Sequence, residues 1–185
     1  MPTKTIETSP QRKSLETVRA DLAVQLPLTI AAGCVVGFGD VLGVIDASGF
    51  GRRRTRTTVD TTAFATTSPI GKVADPTVFK DGDVLKNSAG VTIGTIAVGG
   101  INLTTRVITL TANAAVAVAD GAAVLGSDGS QIAKAISDAA SDGVGNTPID
   151  VMIAGLVKES LINGLDSTAK AELGGTSTIN GVFKF

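Results

Sequence analysis

The chain offers few residue types that do chemistry, and their spacing narrows the choice further. It contains no histidine and one cysteine, Cys34. Without histidine the commonest general acid–base and the commonest metal ligand are missing, and no Ser/His or Cys/His nucleophile pair can form. A Ser–Lys pair such as Ser160 with Lys158 is left open, but nothing in its spacing recommends it. Cys34 stands among Ala32, Val35 and Val36, the surroundings of a buried core thiol, and a single cysteine closes no intramolecular disulfide. Gly37-Phe38-Gly39-Asp40-Val41-Leu42-Gly43 has the spacing G-x-G-x-x-x-G. Neither a helix nor an acid follows at the right distance, so dinucleotide binding is not expected. Residues 138–146, from Asp138 to Asn146, carry calcium-like oxygens but lack the alternating acids and terminal Glu of a calcium loop. A solvated loop is the plainer reading. No catalytic residue, cofactor or metal is assigned, and an enzyme is not expected.

The one concentrated charge is Arg52-Arg53-Arg54-Thr55-Arg56. The favoured reading is an exposed hairpin tip. The sharper one is a contact with an acidic partner surface or packaged nucleic acid. Apart from flanking Phe50, no aromatic residue interleaves with the arginines, so base stacking is not supported. A net charge of −1 implies neither a nucleic-acid nor an anionic-membrane partner for the whole chain.

The elements that position these residues read as mainly β, antiparallel hairpins or a small barrel-like domain with one short helix near the C-terminus. The 185 residues suit one domain or two small ones, with 43% apolar content dominated by aliphatic side chains and only 3% aromatic. Abundant glycine and threonine favour turns and strands. Residues 22–39 carry no charge and approach the length of a membrane span. Gln25, Pro27, Thr29, Gly33, Gly37 and Gly39 would break a spanning helix. The acids Glu7, Glu16 and Asp21 do not suit a signal peptide. Core strands are the better reading, with Leu26, Leu28 and Ile30 alternating in one of them. Leu15, Val18 and Leu22 could line a short helix before it.

A weak repeat runs through the middle. Gly39-Asp40-Val41-Leu42 returns as Gly82-Asp83-Val84-Leu85, and more loosely as Gly121-Ala122-Ala123-Val124-Leu125. A Gly turn follows each at Gly49, Gly90 and Gly129. Each copy is expected to be a strand leaving a turn, followed by a hairpin. Alternating runs at 91–96 and 106–111 are expected to join through a turn at Gly99-Gly100. Residues 55–67, rich in threonine, read as a long exposed loop or edge ribbon. A strand or helical turn and then a loop are expected over 126–148.

The C-terminal unit is the most regular. Ile149, Val151, Ile153 and Val157 are expected on one strand face, with Met152, Ala154 and Leu156 on the other. Asn163-Gly164 turns, Asp166 or Ser167 caps a helix, and Leu165, Ala169 and Leu173 form its buried stripe. Gly174-Gly175 stops it. Ile179, Gly181, Phe183 and Phe185 then share a face of a last strand.

Residues 126–133 (GSDGSQIA), 149–157 (IDVMIAGLV) and 161–173 (LINGLDSTAKAEL), in that order and followed by a short strand, resemble the lambda-type head decoration, or cement, proteins of tailed bacteriophages. The resemblance covers about residues 120–185. Gly39-Asp40-Val41-Leu42 and Phe79-Lys80-Asp81-Gly82-Asp83 resemble, less specifically, modules of larger phage decoration proteins. The resemblance implies a compact β-rich domain with a short helix near the C-terminus. It also implies a homotrimer on the outer surface of the capsid, assembled in a host cytoplasm, with the major capsid protein as partner. It further implies an extended N-terminal arm, here residues 1–14, that orders on the capsid. Residues 15–185 would be the decoration domain, with 35–120 as a candidate β-rich subdomain. Candidate capsid or subunit contacts are Ile6, Leu15, Val18, Arg52, Arg53, Arg54, Phe183 and Phe185. The two C-terminal phenylalanines would close either the subunit's own core or a subunit contact. The alternative function is a phage fibre, spike or other virion-surface binding module. No membrane partner and no specific nucleic-acid partner are expected.

Overall fold

The computed structural model describes residues 24–157, 159–174 and 183–184. Ile6, Leu15, Val18, Phe185 and the proposed arm 1–14 lie outside the described residues, as does the candidate helix at 15–22. In chain order the elements are β1 (Val24–Ile30), β2 (Val41–Val44), β3 (Gly51–Arg53), β4 (Arg56–Thr58), β5 (Ile70–Lys72), β6 (Val84–Asn87), β7 (Thr92–Asn102), β8 (Val107–Leu110), β9 (Ala123–Gly126), β10 (Ala135–Ser137), β11 (Thr147–Leu156), α1 (Ser167–Glu172) and β12 (Phe183–Lys184). The protein is mainly β, with a single short α-helix near the C-terminus among the described residues.

The strands form two barrel-like sheets. In the first, β1, β3, β2, β10 and β11 follow one another, and β11 pairs back with β1 to close the ring. β12 adds to β11 in parallel through Gly155 and Leu156. In the second the order is β4-β9-β6-β7-β8-β5, and a bridge between Val59 and Val73 brings β5 back beside β4. The second sheet is built wholly from residues 56–126. It is therefore an insertion between β3 and β10 of the first.

Two prolines show how closely sequence and ladder agree. The carbonyl of Asp150 accepts the Asp138 N–H at 3.0 Å, on the β10 side of β11. The backbone polar groups of Asp150 therefore point away from β1. Pro27, its opposite on β1, sits in a non-hydrogen-bonded pair and loses nothing by having no N–H. Two residues on, Thr29 faces Pro148 in the same way.

Each barrel has its own core. Ile30, Leu42, Ala135, Ile149 and Val151, with half-buried Leu28 and Ile153, fill the first barrel. The alternate residues Val41, Ile136 and Met152 face out and are covered by Ala169 and Leu173 of α1. β11 is thus covered on both sides, as its sequence implies. Val157 departs from the expected face and joins the helix-side cluster, because it lies past the end of the strand and its alternation. Leu165, Ala169 and Leu173 all belong to that cluster. Asp166 caps α1 by accepting the Ala169 N–H, and Gly174 ends it at φ +79°.

The insertion is filled by Phe64, Leu85, Ile93, Ile96, Ile108, Leu110 and Val124. Of the two readings of 55–67, this corrects the exposed loop, while the edge ribbon fits β4, the end strand of the sheet order. β4 pairs with β9, and Phe64 is fully buried. A Cβ on Gly71 would come within 2.5 Å of the Phe64 ring, so the glycine makes room for it. The expected turn at Gly99-Gly100 is also corrected. β7 runs through both glycines to Asn102, and the pairing with β8 slips there instead. Gly99, at φ +66°, supports a bulge rather than a turn.

Candidate functional site

Arg52, Arg53, Arg54 and Arg56 lie where the two barrels meet, and they do not form an exposed tip. Arg52 is 2% exposed and Arg54 4%. The chain leaves the first barrel at 54–55 and returns at 126–130. These two segments bond to each other: Thr55 N–H to the Ser130 carbonyl at 3.2 Å, Gly126 N–H to the Thr55 carbonyl at 2.8 Å, and the two hydroxyls at 2.8 Å. Gly43 of β2 leaves room for this neck; a Cβ there would lie 2.0 Å from the Ser130 carbonyl oxygen.

The arginines fasten the neck on both sides. Arg52 binds Asp83 of the insertion with both terminal nitrogens, at 3.0 and 2.7 Å. It also donates to Asp128 at 3.0 Å and to the Val78 carbonyl at 3.1 Å. Arg53 bridges the barrels, with Nε 3.1 Å from Asp40 and Nη2 3.0 Å from Asp75, and with Nη1 donating to Thr77 Oγ1. Arg54 turns to the C-terminal unit. It donates to the Gln131 carbonyl at 3.0 Å and to Asp166 at 2.9 Å, and lies 2.9 Å from Glu172. Arg56 adds bonds to Asp166 at 3.1 Å and Thr168 at 3.2 Å. Asp166 therefore caps α1 and anchors two arginines at once. The planar guanidinium, with five donors in a fixed fork, suits such shared acceptors. The run is an internal clasp joining the insertion, the neck and α1.

The sequence reading singled out the arginines but set them on an exposed tip and missed their partners. The signal was present in the repeat. Asp40 and Asp83 are its acids, and they occupy the same local turn. Asp40 accepts the Gly37 N–H at 2.7 Å, and Asp83 accepts the Lys80 N–H at 2.9 Å, each three residues back. Gly39 and Gly82 take φ of +78° and +83°. Each turn holds one arginine, Arg53 at Asp40 and Arg52 at Asp83. β2–β3 and β6–β7 are the expected hairpins. After β9 the third copy enters the neck instead.

Burial pushes the carboxyls of Asp75, Asp128 and Asp166 up, but their hydrogen bonds and ion pairs outweigh it. Asp75 is held below the usual carboxylate range by Thr77 and Arg53, Asp128 by Ser130 and Arg52, and Asp166 by the Ala169 N–H with Arg54 and Arg56. Depressed carboxylates contribute stability that is fully present above their unfolded pKa and is lost as pH falls through the folded value. With no histidine, little else titrates between about pH 5 and 8. The urea midpoint is therefore expected to stay level over that range and to fall below about pH 4. A midpoint still level at about pH 2.5 would contradict the clasp's role in stability.

Beside the clasp lies a cleft of about 940 Å³. The first barrel contributes Gly33, Cys34, Val35 and Asp40, and the insertion contributes Val78, Phe79, Lys80 and Leu103. Cys34 is buried at 7% exposure, as its surroundings implied. Gly37 and Asp40 of the Gly37–Gly43 segment line it too, with Arg52 and Arg53, whereas the calcium-like segment and Ser160 do not. Asp142 and Asn146 of the calcium-like segment accept the Val144 and Ala32 N–H groups. The Gly37–Gly43 segment leads into a strand rather than a helix. Ser160 is exposed in a 3-10 turn, and Lys158 lies outside the described residues. Phe183 is placed by its backbone, opposite Gly155. No helix among the described residues is long and apolar enough to cross a membrane. No protein-family model, curated protein or solved structure matches this chain.

Proposed function

We propose that the chain is a decoration protein of a bacteriophage head. On this reading it binds the major capsid protein as a homotrimer on the outer capsid surface, bridges neighbouring capsomers and carries no catalytic activity. One observation carries the reading. Within the stretch whose order and spacing resemble the phage cement proteins, β10, β11 and α1 pack on one another through Ile136, Met152, Ala169 and Leu173, joined by Val41 of β2. Repetition on a lattice adds avidity, so each contact need only be modest.

The test is sedimentation of the purified protein, alone and with expanded capsids of its own major capsid protein. The expected result is a trimer that saturates a fixed number of capsid sites. A strict monomer that stays in the supernatant overturns the proposal.

A further inference from the structure

The cleft between the barrels has features that the clasp does not use. Its lips carry two protruding apolar side chains, Val35 from the first barrel at 64% exposure and Leu103 from the insertion at 60%. Val78, Phe79 and Ile162 line it as well, each nearly buried. Of the cations in its wall, Arg52 and Arg53 are committed to their carboxylates. Lys80 is not. Its backbone N–H binds Asp83, while its half-buried side chain has no ion pair or hydrogen bond among the described residues. Val36 exchanges both backbone bonds with Ser141. In extended chain the N–H and C=O of neighbouring Val35 then face the other way, and they too have no partner among the described residues.

We propose that this cleft binds an extended peptide segment of a partner protein, one carrying an apolar side chain beside a carboxylate. The apolar side chain sits between Val35 and Leu103, where both lips lose exposed surface. The carboxylate pairs with the Lys80 ammonium, the one cation of the wall with no counter-charge among the described residues. The peptide backbone bonds to Val35, in the manner of strand addition. Because the lips belong to different barrels, the bound segment also bridges them. The proposal goes beyond the capsid reading and does not rest on it: a monomer without capsid affinity would still bind the peptide.

The experiment is an amide NMR titration of the full chain with two pentapeptides, LEVDL and LKVKL, acetylated at the N-terminus and amidated at the C-terminus. LEVDL is expected to shift the amides of Val35, Lys80 and Leu103 saturably, and LKVKL to bind about tenfold more weakly. Lys80→Glu is expected to reverse that order. Lys80→Met, which keeps the apolar stem, should remove the preference and leave the fold intact. Leu103→Asp should weaken LEVDL about tenfold. Equal affinity for the two peptides, shifts confined to other surfaces, or no shifts at millimolar peptide would each overturn the proposal.

Discussion

Replacing Arg52 with alanine is expected to cost about 3–5 kcal/mol of folding stability, read as a lower urea midpoint at unchanged slope. The size follows from what the substitution leaves behind. The Asp83 side chain is only 10% exposed and would be left with the Lys80 N–H but no cation. The buried Val78 carbonyl would lose its donor as well. An uncompensated buried charge is far costlier than a missing surface pair. Arg106 supplies the contrast. Its pair with Asp60 is as short, 2.8 Å, but the arginine is 46% exposed. Arg106→Ala should cost at most about 1 kcal/mol. The double variant Arg52→Met with Asp83→Asn removes both charges and should recover part of the loss. The cycle through the two single variants then gives their coupling. If Arg52→Ala and Arg106→Ala cost the same, the clasp is no more than a set of surface pairs.

The clasp also marks the limit of what the sequence made legible. Local rules served well where one element decides its own fate. The α1 cap and stop, the two faces of β11 and the strands leaving the Gly-Asp turns all follow from spacing and turn chemistry. They failed where a distant partner decides. Four arginines in five residues look solvated because, locally, nothing neutralises them. Their acids come from positions 40, 75, 83, 128, 166 and 172, spread over most of the chain. Phe64 was hidden in the same way. Its neighbours are threonine and alanine, and its apolar partners lie across the insertion's strands. Gly99-Gly100 was misread for a different reason: glycine serves a tight turn and a bulge equally, and only the opposite strand distinguishes them.

Phe64→Ala should show whether the two barrels are one cooperative unit. Truncating a fully buried phenylalanine costs about 3–5 kcal/mol, and here the ring fills the insertion's core against Gly71. That core shares no residue with the two clusters of the first barrel. The neck joins the barrels through the short 54–55 and 126–130 segments. If the insertion opens, Arg52 exchanges Asp83 for water and keeps Asp128 of the neck, which strands no buried charge. The insertion can therefore unfold as a local unit while the first barrel stays folded. In Phe64→Ala, hydrogen exchange is expected to accelerate at Ile93, Ile96, Ile108 and Leu110. Protection at Leu42, Val151 and Met152 should stay close to that of the unsubstituted protein. Equal loss of protection in both sets would mean that the clasp locks the barrels into a single folding unit. In that case Arg52→Ala combined with Phe64→Ala should separate them again, restoring protection at Leu42, Val151 and Met152 relative to Ile93 and Ile108.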